Sequence, residues 1–317
     1  MKRSTPPTES DGSLGWIRFL AVATWGATLG LIVLGSAVRV TDSGMGCKGW
    51  PLCTGSQGSV ASFHPLMEES HRFLASIVTV LIVALAWSVR RHPRAAHLRR
   101  PSLVAVGVIA VQVVLGAVTV FANNAPFTVA LHLMTATLFL AVTSFVAVVA
   151  FVPAESGRSW LRGPSALAWA ALIGLYLVII SGSIVVNAGA QSACASWPVC
   201  LHSPVATGLL VVQMIHRSLV LIGSVLVVVF LVSVRRSPHR GGVESSLAIS
   251  GLVLLAVQVL AGAMSAIWSS HSELADVHLA VASLLWSCVV AVVTLNAGAR
   301  RHSPDVSSDE TMPRTSV

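Results

Sequence analysis

Long apolar runs broken by short polar segments divide the chain almost evenly. Eight such runs, at about 16–38, 70–89, 103–122, 128–152, 165–186, 210–234, 246–268 and 275–298, each approach the ~20 residues a helix needs to cross ~30 Å of hydrocarbon. The pattern predicts an all-α membrane protein with eight transmembrane helices. The first run is read as a retained helix. Trp16 to Val38 is long for a signal-peptide core, and no small-x-small cleavage site ends it. The two ends, Met1 to Ser13 and Ser303 to Val317, are rich in Ser, Thr, Pro and acidic residues and read as disordered tails.

The polar positions inside and between these runs occur twice. Cys-x5-Cys, His-Arg, Gln-x3-Gly-Ala and a further His run from Cys47 to His132, and the same order runs from Cys194 to His278. Cys47 and Cys194 are 147 residues apart, His71 and His216 are 145 apart, and Gln112 and Gln258, like His132 and His278, are 146 apart. Such self-similarity is an internal duplication, with two structurally similar halves. Each half contains an even number of crossings, so both copies point the same way through the membrane, related by a pseudo-twofold axis along its normal. The expected organisation is two tandem four-helix bundles. A cytoplasmic tail covers 1–15, the N-terminal bundle 16–152, a linker 153–164, the C-terminal bundle 165–298 and a second tail 299–317.

Composition agrees. With 55% hydrophobic and 10% charged residues among 317, and a mean hydropathy of +0.81, the chain has too little charge to cover a soluble globule. The net charge of +8 raises nucleic acid as a partner, but the basic residues alternate by loop instead. Lys2, Arg3 and Arg18 lie around the start of the first helix. Arg90, Arg91, Arg94, Arg99 and Arg100 follow the second, Arg158 and Arg162 the fourth, Arg235, Arg236 and Arg240 the sixth, and Arg300, Arg301 and Arg314 the eighth. The other four loops hold only Arg39 and Lys48. By the positive-inside rule the basic segments and both termini are cytoplasmic, in a multi-pass cell-membrane protein with its cysteine loops on the outer face. No nucleic-acid role is needed.

Ionisable groups inside a membrane are costly and mark function. His71 and His216 open the second and sixth helices, and His132 and His278 lie near the start of the fourth and eighth, all toward the outer face. Two imidazoles from different helices at one depth suit axial ligation of a haem iron, one per half. Zinc is the rival metal but wants three or four ligands, and a buried hydrogen bond is the plain alternative. The other seven histidines, His64, His92, His97, His202, His239, His271 and His302, read as solvated.

Arg72 and Arg217 suit haem propionates or a snorkelling helix end. Gln112 with Gly116, and Gln258 with Gly262, put a polar and a small residue on one helix face for close packing. Cys47/Cys53 and Cys194/Cys200, in outer loops, are spaced to permit a disulfide in each, with a stapling or a redox role. Cys288, alone in the eighth helix, reads as a small packing residue. The repeat breaks at Glu68, one turn before His71, because Gln213 stands in the same place before His216. A carboxylate takes up and releases protons and an amide does not, so only the first half carries an acid at this position beside its site.

These residues resemble the haem A synthase family, membrane enzymes of terminal-oxidase assembly, over about Trp16 to Asn296. The resemblance rests on Glu68-x2-His71-Arg72, the repeated His132, His216 and His278, and the paired outer-loop cysteines. It implies oxidation of a ring methyl of haem O, through an alcohol and a hydrated aldehyde, to the formyl of haem A. It also implies substrate between His71 and His132, a retained haem b on His216 and His278, and Glu68 assisting proton removal. The implied partners are haem O, membrane lipid, a haem O-forming farnesyltransferase, oxidase assembly factors and an electron acceptor that the residues do not identify. Two rivals stay open from the residues alone. A diheme b-type carrier or quinol oxidoreductase would explain the histidines but not Glu68 against Gln213. A transporter would want paired helix breaks near mid-membrane.

Overall fold

A computed structural model describes residues 9–47, 49–53, 62–152, 163–194, 196–200, 207–237, 242–268 and 272–299. Lys48, most of the 153–164 linker with Arg158 and Arg162, the four histidines His202, His239, His271 and His302, and the basic residues Arg240, Arg300, Arg301 and Arg314 lie outside the described residues.

The expected runs are helices: α1 (Glu9–Val40), α2 (Phe63–Arg91), α3 (Arg99–Phe121), α4 (Pro126–Val149), α5 (Ala166–Asn187), α6 (Thr207–Arg235), α7 (Gly242–Ile267) and α8 (Ser272–Ala299). All eight are long and apolar enough to cross a membrane, which makes this a multi-pass membrane protein. Large apolar side chains such as Phe121, Phe127, Val80 and Leu221 face outward, where lipid rather than water is the favourable neighbour. Pro126 opens α4 at a position where its missing N–H costs nothing, and the Ser165 hydroxyl caps α5 by accepting from the Ala168 N–H at 3.2 Å.

Several boundaries differ from expectation. Helix α2 starts at Phe63, about seven residues early, and α6 at Thr207, so His71 and His216 lie in the third turn and do not open their helices. Glu68, Glu69 and Ser70 lower the local hydropathy, yet Glu68 is satisfied within the fold and tolerates burial. His64 is therefore helical rather than in a loop, with Nδ1 2.9 Å from the Ser43 hydroxyl. Arg39 belongs to the last turn of α1, and His97 has both ring nitrogens buried in the 3-10 turn Pro93–Leu98 instead of solvated.

In the first half α1 touches α2, α2 touches α3, α3 touches α4 and α4 returns to α1, and α5 to α8 make the same circuit. Across the middle α1 meets α8, α4 meets α5, and α4 meets α8. Exchanging helices 1–4 for 5–8 maps this set of neighbours onto itself. One buried cluster, with Leu20, Val78, Ile82, Ile109 and Phe139, fills the first circuit. Another, with Leu175, Val227, Phe230, Leu285 and Val289, fills the second and reaches α4 through Leu140. Directional bonds seal the seam. Trp286 Nε1 donates to the Thr137 carbonyl at 2.9 Å, Tyr176 donates its hydroxyl to the Met134 carbonyl at 3.1 Å, and Trp25 Nε1 donates to the Ser287 hydroxyl at 3.3 Å.

Candidate functional site

Each of the four repeated histidines lies against a glycine of the helix before it. A Cβ at Gly35 would fall 2.8 Å from His71 Cε1, one at Gly116 3.3 Å from His132 Cε1, one at Gly182 3.2 Å from His216 Cε1 and one at Gly262 2.7 Å from His278 Cε1. In all four cases Cε1 is the ring atom nearest the glycine. No side chain larger than hydrogen fits there without moving the ring. Gly116 and Gly262 were legible as close-packing positions; Gly35 and Gly182 were missed. Their spacing of 147 residues, the same as the first cysteines', is the signal that could have found them.

Within each half the two imidazoles are near enough to interact electrostatically, His71 with His132 and His216 with His278. Their supports differ. Gln112 Nε2 donates to His132 Nε2 at 3.1 Å, and Gln258 Nε2 lies 3.1 Å from His278 Nδ1 and 3.3 Å from its Nε2. Ser181 donates to the Val178 carbonyl at 2.9 Å, so its oxygen accepts from His216 Nδ1 at 2.8 Å. That bond fixes the tautomer and leaves the His216 Nε2 lone pair free for a metal. At the equivalent place in α1 stands Leu34, and Nδ1 of both His71 and His132 is buried without a partner.

Glu68 and Gln213 are buried alike, each 4% exposed. Glu68 Oε1 pairs with Arg72 at 2.5 Å, and Oε2 accepts the Cys47 backbone N–H at 2.9 Å. Gln213 Nε2 donates instead to the Gln191 carbonyl at 3.2 Å, and its own oxygen is unpartnered. The arginines follow this difference. Arg72 also donates to the Gly49 carbonyl at 2.6 Å and that of Pro51 at 3.3 Å, and Arg217 to the equivalent carbonyls of Ser196 at 2.8 Å and Pro198 at 3.1 Å. With no carboxylate beside it, Arg217 sends its second nitrogen to the Cys194 carbonyl at 3.1 Å. Both guanidiniums thus brace a cysteine loop, a task the sequence did not disclose. The loops are closed by the disulfides Cys47–Cys53 and Cys194–Cys200.

The donor set suits an iron porphyrin better than zinc. Among the described residues the one group of three or more potential metal ligands is Cys47, Cys53 and Glu69, which excludes the histidines and includes a disulfide. Two imidazoles per half, each packed on a glycine, are a donor set that a haem iron could take.

Fold and site together define a polytopic membrane protein with an internal repeat and one candidate metal-holding histidine pair in each half. The chain belongs to the cytochrome oxidase assembly protein family, COX15-CtaA, whose model matches residues 59–290 and so spans both halves. It is similar to the Heme A synthase of Symbiobacterium thermophilum, 27% identical over 268 residues that cover 78% of this chain and 85% of that protein. The Heme A synthase of Geobacillus thermodenitrificans is 27% identical over 90% of this chain and 93% of its own length. That of Exiguobacterium sibiricum is 31% identical over 60% and 65%.

Proposed function

We propose that this chain is a membrane enzyme, a haem A synthase, that oxidises a ring methyl of haem O to the formyl group of haem A. The observation that carries this reading is the asymmetry inside a near-perfect repeat: four histidines each packed on a glycine, but at the buried position three residues before His71 and His216 a carboxylate, Glu68, against an amide, Gln213. The names of the relatives favour this reading over a diheme electron carrier, which would need no such difference.

In this reading residues 16–152 form the substrate half, with haem O between His71 and His132, and residues 165–298 the cofactor half. A haem b held by His216 and His278 supplies one-electron acceptance when bound. Ser181 supports that assignment, since a ligand whose other nitrogen is anchored is held for long residence, and the unanchored His71 suits a guest that must leave as product. Glu68, three residues before His71 on the same helix face, takes the proton released as the methyl is oxidised. When it does so its pair with Arg72 weakens, and the guanidinium still holds the Gly49 and Pro51 carbonyls. The loop therefore stays anchored while the proton moves. Beyond their loop contacts, Arg72 and Arg217 are the guanidiniums beside each pair and are proposed to meet haem propionates. By the positive-inside rule the proposal puts both termini on the cytoplasmic side and the cysteine loops outside.

The test is pigment extraction from membranes in which this chain is co-expressed with a haem O-forming farnesyltransferase. Haem A should accumulate. Unchanged haem O would contradict the proposal.

A further inference from the structure

A cavity of about 450 Å³ lies at the seam between the halves, walled by α4 on one side and by α5 and α8 on the other, and its lining is almost wholly apolar. That volume falls in the roughly 300–1,000 Å³ range of small-molecule sites, and an apolar space of this kind does not hold water. On α4 it starts at Leu138, less than two turns beyond His132, beside Tyr176 and Trp286. It runs to Phe145 and Ala297, about 16 Å along α8 from Trp286 at 1.5 Å per residue. Leu138, Trp169 and Ile173 line it and are also exposed on the outer surface of the bundle, so it opens toward lipid. The duplication holds a second copy of this seam, between α1 and α8. There Trp25 and Ser287 stand where Leu172 and Ala141 line the cavity, at offsets of 147 and 146 residues, and Trp25 Nε1 donates to the Ser287 hydroxyl at 3.3 Å. The open seam follows His132, and the seam with the tryptophan follows His278.

We propose that this cavity takes the farnesyl-derived tail of haem O while the ring is held between His71 and His132. The inference rests on the haem A synthase reading and adds to it the subsite that tells substrate from cofactor. Haem b has no such tail, and the half assigned to it has Trp25 in the corresponding place. Bilayer chains are as apolar as the lining, so the cavity gains little by drawing a free chain from the membrane. A tail tethered to a ring already bound nearby arrives at high effective concentration, and it spares the lining the cost of an unfilled void. The opening beside Leu138, Trp169 and Ile173 lets the tail slide in from the bilayer without passing through water, and lets it leave the same way with the product.

The test loads the full chain, purified in detergent from cells without the farnesyltransferase, with equimolar haem O and haem b and identifies the bound pigments by mass. Beyond the haem b it already retains, the wild type should take up haem O over haem b by at least about tenfold. Leu172→Trp together with Ala141→Ser copies the Trp25 and Ser287 pair into the cavity and should bring that preference close to one, with the spectrum of the retained haem b as the sign of a folded protein. Ala141→Phe, which narrows the cavity from α4 alone, should lower the preference in the same direction and decides the matter if the double variant loses its retained haem b. A preference for haem O that survives plugging would overturn the proposal and leave the cavity to bilayer lipid. Equal uptake of the two haems by a wild type that still forms haem A would overturn it while sparing the enzyme reading, and no uptake of haem O at all would take both.

Discussion

The Ser181 hydroxyl accepts a hydrogen bond from His216 Nδ1 at 2.8 Å, and the repeat-equivalent position beside His71 is filled by Leu34. In the proposed reading this difference separates a held ligand from a released one. Ser181→Ala should speed loss of the retained haem to a competing apoprotein by about 10–100-fold, the usual effect of removing a ligand's outer support. An unchanged transfer rate would remove the retention argument.

The glycine cradles give a packing prediction. Gly35→Ala and Gly262→Ala each place a methyl under 3 Å from an imidazole carbon, whereas a Cβ at Gly107 meets nothing within 4 Å. The first two should lose about 1–3 kcal/mol of stability and distort the haem spectrum, with Gly107→Ala near wild type. Thermal unfolding and reduced-minus-oxidised spectra check this together. Equal behaviour of all three would show that the rings are not tightly seated.

Glu68→Gln keeps an acceptor for the Cys47 N–H but loses the charge that pairs with Arg72. Haem A formation should fall about 10²–10⁴-fold while the haem b spectrum persists. Normal product yield in this variant would end the catalytic role of Glu68.

Arg217 holds three carbonyls of the Cys194–Cys200 loop with one planar fork, which a lysine ammonium cannot reproduce. Arg217→Lys should cost about 1–3 kcal/mol, seen as faster backbone hydrogen exchange confined to that loop and the start of α6. Unaltered exchange would show that the loop holds itself.

Much of this was legible in the letters, because hydrophobic run length and residue order survive without knowledge of contacts. Eight helices, the duplication, the four histidines and the contrast of Glu68 with Gln213 all follow from spacing. The start of α2 did not. A hydropathy window counts Glu68 as polar and cannot see that Arg72 and the Cys47 N–H neutralise it. The work of Arg72 and Arg217 stayed hidden for a related reason: their partners are backbone carbonyls, which carry no residue identity. Gly35 and Gly182 were within reach, but glycines in apolar helices are common and only the packed imidazole distinguishes them.

The central claim is that each half grips its own haem and only the half with Glu68 changes it. Its most direct test is identification by mass of the haems extracted from purified wild type, His71→Ala and His216→Ala proteins, each co-expressed with the farnesyltransferase. The account predicts haem A and haem b in the wild type, loss of haem A with haem b kept in His71→Ala, and loss of haem b in His216→Ala. The same pigment lost from both variants, or unconverted haem O in the wild type, would contradict it.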